Sequence, residues 1–223
     1  MKNKKSILPL GKSHRLIAPR IPYIVTTVDK RNRVNAASFS NLTSVSTEPE
    51  RLVIGVYKKW DTIKNIKETK EFVVNVPSKN LLDEVWICGD KYAGNPIPRG
   101  IDELKIADLT EIPSEKVKAP RIAECFGHLE CKVKWIKDVG DHYLVLGEVV
   151  AASFSSGYLD KNFIQIIPKT NPLFEISRGF FTSPGKVVEV NRRAIKNKVD
   201  KKLRKMNVRV PEKLKIYGKF SEE

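Results

Sequence analysis

The chain has 223 residues, 41% of them hydrophobic and 30% charged, which is enough apolar material for a sizeable core and excludes a chain disordered throughout. Its longest nearly apolar stretch, Tyr143 to Ala152, is broken by Gly147 and Glu148, well short of the ~20 residues that a membrane-spanning helix needs. The formal charge of +15 sits mostly at the ends, with +5 in residues 1–15, +8 in residues 184–223 and only +2 between them.

A basic groove built into the core would put the surplus charge in the core, so nucleic acid is not the expected partner. The charge map divides the chain into a basic N-terminal extension (1–15), a nearly neutral domain (16–183) and a basic C-terminal extension (184–223). The amino terminus has only a four-residue apolar run interrupted at Pro9, so no signal peptide is expected. Cys88, Cys125 and Cys131 are too few for a disulfide scaffold and point to free thiols in the cytoplasm.

From Ile21 to Val28 the sequence IPYIVTTV is rich in β-branched and aromatic residues, and the polar run Asp29 to Arg33 turns it into a second strand, Val34 to Phe39. Leu52 to Tyr57 and Glu71 to Val76 read as two further strands. The helix between them has Asp61 as its expected N-cap, Ile63 and Ile66 as its apolar stripe, and Lys64, Lys67 and Lys70 outside. Asn80 to Cys88 is a second short helix stopped by Gly89, and 94–120 is a proline-rich excursion over the surface.

Two long strands follow, Cys125 to Lys137 and His142 to Ser155, joined by a turn at Asp138 to Asp141. A last pair of short strands is expected within 157–183, around Pro168 to Pro172. In the tail, Val188, Ile195, Val199, Leu203 and Met206 recur at helical spacing among lysines and arginines, as in an amphipathic helix that must cover its stripe. Six or more strands without βαβ alternation predict a mainly β protein, an antiparallel barrel with short helical additions.

The common nucleotide, metalloprotease and acyl-transfer signatures are absent from the sequence. In ECFGHLEC a fully extended strand would put Cys125 and Cys131 on one face and His128 on the other, with no evident fourth ligand, so no metal site is expected. The run Asn35, Ala36, Ala37, Ser38, Phe39, Ser40 combines small side chains with hydroxyls, which lets a planar ligand approach the backbone. Further on, Lys58, Lys59, Trp60, Asp61 and Thr62 bring two cations and a hydroxyl to a helix N-terminus, a natural place for a phosphate. The pair suits a phosphorylated flat cofactor, and it equally suits a tight turn followed by an ordinary capped helix.

A resemblance separates those alternatives. Pro19 to Pro22, Ile24 to Val28, Asn35 to Ser40, Val45-Ser46 with Glu48-Pro49, Thr62 with Asn65-Ile66, and Glu71 to Asn75 together resemble the flavin reductase-like family of FMN-binding split barrels. Cys88-Gly89, Lys116 to Cys125, Leu129 to Cys131, and Gly140 to His142 with Gly147 to Val149 are similar to its flavoredoxin and archaeal ferric-reductase branch. The likeness runs from about residue 13 to residue 183, and the ordered spacing of many short motifs carries it.

The resemblance implies an antiparallel split barrel, a homodimer, and FMN near the dimer interface. Asn35 to Ser40 would line the isoalloxazine, Lys58, Lys59, Trp60 and Thr62 would hold the ribityl phosphate, and Asn65 would either join them or serve the helix surface. His142 corresponds to a histidine near the flavin or nicotinamide in similar proteins; its other reading is a turn residue held by Asp138 or Asp141. Where the flavoredoxin branch has small residues and an arginine, this chain has Lys91 to Asn95, and Lys91 supplies a point charge without the bidentate geometry of Arg.

The expected activity is an oxidoreductase that accepts hydride from NADH or NADPH at flavin N5 and passes electrons to free flavin, a ferric complex or a protein acceptor. The alternatives are a flavoredoxin-like FMN electron carrier without direct NAD(P)H oxidation, or a non-enzymatic module whose basic tail binds nucleic acid or protein.

Overall fold

The computed structural model describes residues 6–89, 102–177 and 179–185. Lys91 and the expected tail helix lie outside the described residues. The main sheet is built from β1 (Tyr23–Val28), β2 (Val34–Phe39), β3 (Leu42–Thr47), β4 (Glu50–Tyr57), β5 (Glu71–Val76), β8 (Gly127–Asp138) and β9 (His142–Phe154). Two short antiparallel pairs accompany it, β6 (Glu111–Ile112) with β7 (Arg121–Ile122) and β10 (Phe174–Ser177) with β11 (Phe180–Thr182).

The order across the main sheet is β2-β1-β5-β8-β9-β4-β3, with every neighbouring pair antiparallel. β2 and β3 therefore occupy opposite edges, yet only Ser40 and Asn41 connect them. Phe39 to Leu42 is three residue steps, at most about 11 Å, so the sheet must curl until its edges meet at that corner. The result is a split barrel. Asn41 fastens the corner, its Nδ2 donating to the Gly55 carbonyl at 2.8 Å while Gly55 N–H donates to the Asn41 carbonyl at 3.1 Å.

The strands alternate as a barrel requires. Inside lie Val25, Phe39, Leu52, Ile54, Val56, Phe72, Val74, Cys131 and Val145, closed over by Ile63 and Ile66 of α1 (Asp61–Thr69). Outside β1 and β2, a second cluster joins Ile24 and Ala36 to Val85 and Cys88 of α2 (Leu82–Cys88), Leu104 of α3 (Glu103–Ile106), Ile122 and Cys125. A short α4 (Ile167–Thr170) precedes the final hairpin.

Several expectations change. β3 is a strand beyond those expected from the sequence. The final strands begin at Phe174, after a helix at 167–170, rather than flanking Pro168 to Pro172. Trp60, not Asp61, is the N-cap of α1, without a side-chain capping bond, and Asp61 is its first helical residue. The described part of the 94–120 excursion is pinned down: the buried Glu130 carboxylate accepts from the backbone N–H groups of Glu115 (2.9 and 3.0 Å) and Lys116 (2.7 Å).

The parity expectation for the cysteines also fails, because β8 starts at Gly127 and bulges at Glu130/Cys131. Cys131 lies in the barrel core and Cys125 in the outer cluster. Burial pushes both thiols up, which suppresses thiolate chemistry. Among the described residues no three His, Cys, Asp or Glu side chains are grouped to hold a metal ion.

Candidate flavin site at the split edge

β2 is an edge strand, and its register decides which groups it offers. Asp29 N–H donates to the Arg33 carbonyl at 3.1 Å across the β1–β2 turn, so alternate residues Asn35, Ala37 and Phe39 turn their backbone groups toward β1. Ala36 and Ser38 turn theirs to the free edge. Ala36 N–H is taken by Glu103 Oε2 at 3.1 Å. The side chains divide the other way: Ala37 and Phe39 pack into the barrel, Ala36 packs on the outer cluster, and Ser38 Cβ is 3.6 Å from the Cβ that Gly89 lacks. The six residues Asn35 to Ser40 thus form an edge with outward backbone groups, not six side chains converging on one point.

Asn35 is the polar hinge of this edge. Its Oδ1 accepts from Thr62 Oγ1 at 3.0 Å and, at the long limit of 3.5 Å, from Thr27 Oγ1; its Nδ2 donates to Glu103 Oε1 at 3.0 Å. Thr27 Oγ1 in turn accepts from Asn65 Nδ2 at 3.1 Å. The Glu103 carboxylate settles the direction of the Asn35 amide, since it takes the Nδ2 donor and leaves Oδ1 to accept from the two hydroxyls. Thr62 and Asn65 are buried, and their side chains bind the start of α1 to the edge strands from within.

Across the α1 start, Trp60 stands edge-on to Phe39 (5.4 Å between centroids) and to Tyr57 (5.8 Å), and Tyr57 lies 5.4 Å from the His142 ring. His142 is opposite Tyr57 in the β4–β9 register, so this aromatic run connects the β2 end to the β8–β9 turn. His142 Nδ1 bonds Asp141 Oδ1 at 2.7 Å, and that bond is the main reason the Asp141 carboxyl is held below its ordinary range.

Lys58 Nζ pairs with Asp138 Oδ2 at 2.6 Å, a contact that lowers the Asp138 carboxyl. Lys59 is exposed. Asn35, Phe39, Trp60, Thr62 and Asn65 therefore meet around one corner, Lys58 leans toward the β8–β9 turn, and His142 is reached through Tyr57. Glu103 and Tyr57 are participants that no sequence signal selects, for their contacts depend on chain segments brought together only by folding.

A model of the family described as "Flavin reductase like domain" matches residues 15–180. The chain belongs to the flavin reductase-like family. An uncharacterized protein of Pyrococcus abyssi (strain GE5 / Orsay) is 36% identical over 141 residues, covering 63% of this chain and 77% of that one. A more distant relative, the NADH-dependent FAD reductase of Streptomyces globisporus, is 29% identical over 114 residues, 51% of this chain and 59% of its own. Among solved structures, the flavoredoxin of Methanosarcina acetivorans superposes with a TM-score of 0.74 at 22% identity, covering 87% of this chain and 98% of that chain, which shows a shared fold.

Proposed function

We propose that the protein is an FMN-binding oxidoreductase that accepts hydride from NADH or NADPH and delivers electrons to free flavin, a ferric complex or a protein acceptor. The observation that carries this reading is the corner at Asn35, where the outward backbone edge of β2 and the N-terminus of α1 are joined by one hydrogen-bonded chain. A flat, phosphorylated ligand needs both halves: small residues with outward backbone groups for its ring system, and a helix start with an adjacent cation for its phosphate.

The donor set fits FMN. Asn35 to Ser40 offers backbone N–H and C=O groups and hydroxyls to a ring edge, with Trp60 supplying an aromatic wall. Lys59 and the first-turn N–H groups of α1, whose N-cap has no side-chain capping bond, would take the phosphate. Lys58 adds positive charge at second hand through its pair with Asp138. Thr62 and Asn65 hold the helix start in place, because the Thr62 hydroxyl proton is committed to Asn35. Lys91 is kept as a further phosphate cation.

FMN, when bound, supplies the hydride acceptor at N5. The chain's task is to bind, orient and exclude water. With Nδ1 engaged by Asp141, His142 has Nε2 to orient a nicotinamide carboxamide or to hold a proton. The NADH-dependent relative supports a nicotinamide donor.

The test is NADH and NADPH oxidation by the FMN-loaded protein, with free FMN, FAD or a ferric chelate as acceptor. Turnover with any of them supports a reductase. The fold shared with a flavoredoxin favours a second reading, an electron carrier that retains FMN but oxidises neither nucleotide. We further propose a homodimer: Val45 on the β3 edge, with Phe154, Phe163 and Phe180, leaves apolar surface exposed for a second copy. Light scattering should then give twice the chain mass of 25.3 kDa.

A further inference from the structure

Glu103 has no place in the reading above. It is the first residue of α3, lies 68 residues from Asn35 in sequence, and spends one carboxylate on two donors of the edge strand: the Asn35 side-chain amide (3.0 Å) and the Ala36 backbone N–H (3.1 Å). These two donors come from the segment proposed to face the flavin. A carboxylate is suited to this task because each of its two oxygens accepts from one donor, whereas an amide in its place would turn an NH2 group toward one of the two N–H donors.

Two consequences follow from this geometry. With Nδ2 drawn to Glu103 and Oδ1 fixed by Thr62 and Thr27, the Asn35 amide has one orientation. Its second Nδ2–H is then the group left to donate to a ligand at the edge. The carboxylate also places negative charge directly on the backbone of the edge strand, and such a charge opposes electrons added to a ligand beside it.

We propose that Glu103 is a positioning residue of the flavin site, acting through Asn35 to present an amide donor to the bound ring and holding down the cofactor's reduction potential. The proposal rests on the FMN-binding reading.

The experiment compares wild type, Glu103→Gln, Asn35→Ala and the double variant by FMN fluorescence titration, redox titration of the bound FMN, and melting of the FMN-free proteins. Glu103→Gln is expected to weaken FMN binding about tenfold. In the Asn35→Ala background the same change should cost little, because the residue it acts through is gone. The midpoint potential should rise by about 30 mV, the equivalent of tenfold for a two-electron couple. Should Asn35→Ala fail to fold, Asn35→Ser, which removes the amide donor and keeps a hydroxyl toward Thr62, fills the same arm.

A Glu103→Gln protein with wild-type affinity and potential and only a lower melting temperature would make Glu103 merely structural and overturn the proposal. An equal loss of affinity in both backgrounds would also overturn it, since Glu103 would then act without Asn35. Failure of the wild type itself to retain FMN would instead defeat the FMN-binding reading, and so separates the two.

Discussion

The ring of Phe72 lies directly over the α-carbon of Gly147: a Cβ at residue 147 would stand 2.5 Å from Phe72 Cζ and 2.9 Å from Cε1. Phe72 is fully buried in the barrel core, and Gly147 pairs with Leu52 on one side and Val133 on the other. The missing side chain at 147 is the space that Phe72 fills, and a Cβ there would force the ring or the strand to shift. Gly147→Ala should destabilise the protein by about 1–3 kcal/mol in urea unfolding. Combining it with Phe72→Leu should cost less than the two changes separately, and strict additivity would refute the contact as the cause.

The phosphate assignment makes a prediction that separates Lys59 from Lys58. Lys59→Ala should weaken FMN binding about tenfold and leave riboflavin, which lacks the phosphate, unaffected. Lys58→Ala should do less, because its ammonium is already paired with Asp138. Equal losses for FMN and riboflavin would place Lys59 away from the phosphate.

His142→Ala should slow hydride transfer from nicotinamide by about 100-fold while changing FMN affinity little. Stopped-flow reduction of the loaded protein measures the first and fluorescence titration the second. An unchanged reduction rate would return His142 to the role of a turn residue satisfied by Asp141.

Acid should destabilise the barrel through His128. Its Nε2–H donates to the Ile122 carbonyl at 2.8 Å, and its Nδ1 accepts from Ser153 Oγ, 3.1 Å away, which also receives Arg121 Nη1 at 3.1 Å. Burial above all, with the nearby Arg121 charge, holds the imidazole below its ordinary pKa of 6.5. The unfolded chain therefore takes up the proton first. Stability is complete above pH 6.5 and falls as the pH drops from there toward the lower native pKa. His128→Asn should flatten this part of the stability profile between pH 7 and 5.

Much of the barrel was legible because buried strands advertise themselves. VNAASF at 34–39 and EFVVNV at 71–76 have the bounds read from β-branched and aromatic content, and α1 shows its Ile63 and Ile66 stripe with Lys64 and Lys67 outside. β3, LTSVST, was missed because Thr43, Ser44 and Val45 are all exposed, so this edge strand has no alternation to read. β6 and β7 have two residues each, too few for any period.

At the site, residue types pointed to Asn35, Trp60 and Thr62, but not to what they do. Two of the Asn35 partners, Thr62 and Glu103, lie 27 and 68 residues away. Only the curl of the sheet brings them together. The start of α1 lies one residue earlier than expected, with Trp60 at the N-cap and Asp61 as the acidic residue of the first turn.

The most direct measurement is the anaerobic visible spectrum of the full chain loaded with FMN and desalted, before and after addition of NADH or NADPH. A retained flavin band that bleaches with a nicotinamide is the result expected of an FMN-dependent reductase. A protein that emerges without flavin, or holds flavin that only dithionite bleaches, would contradict it.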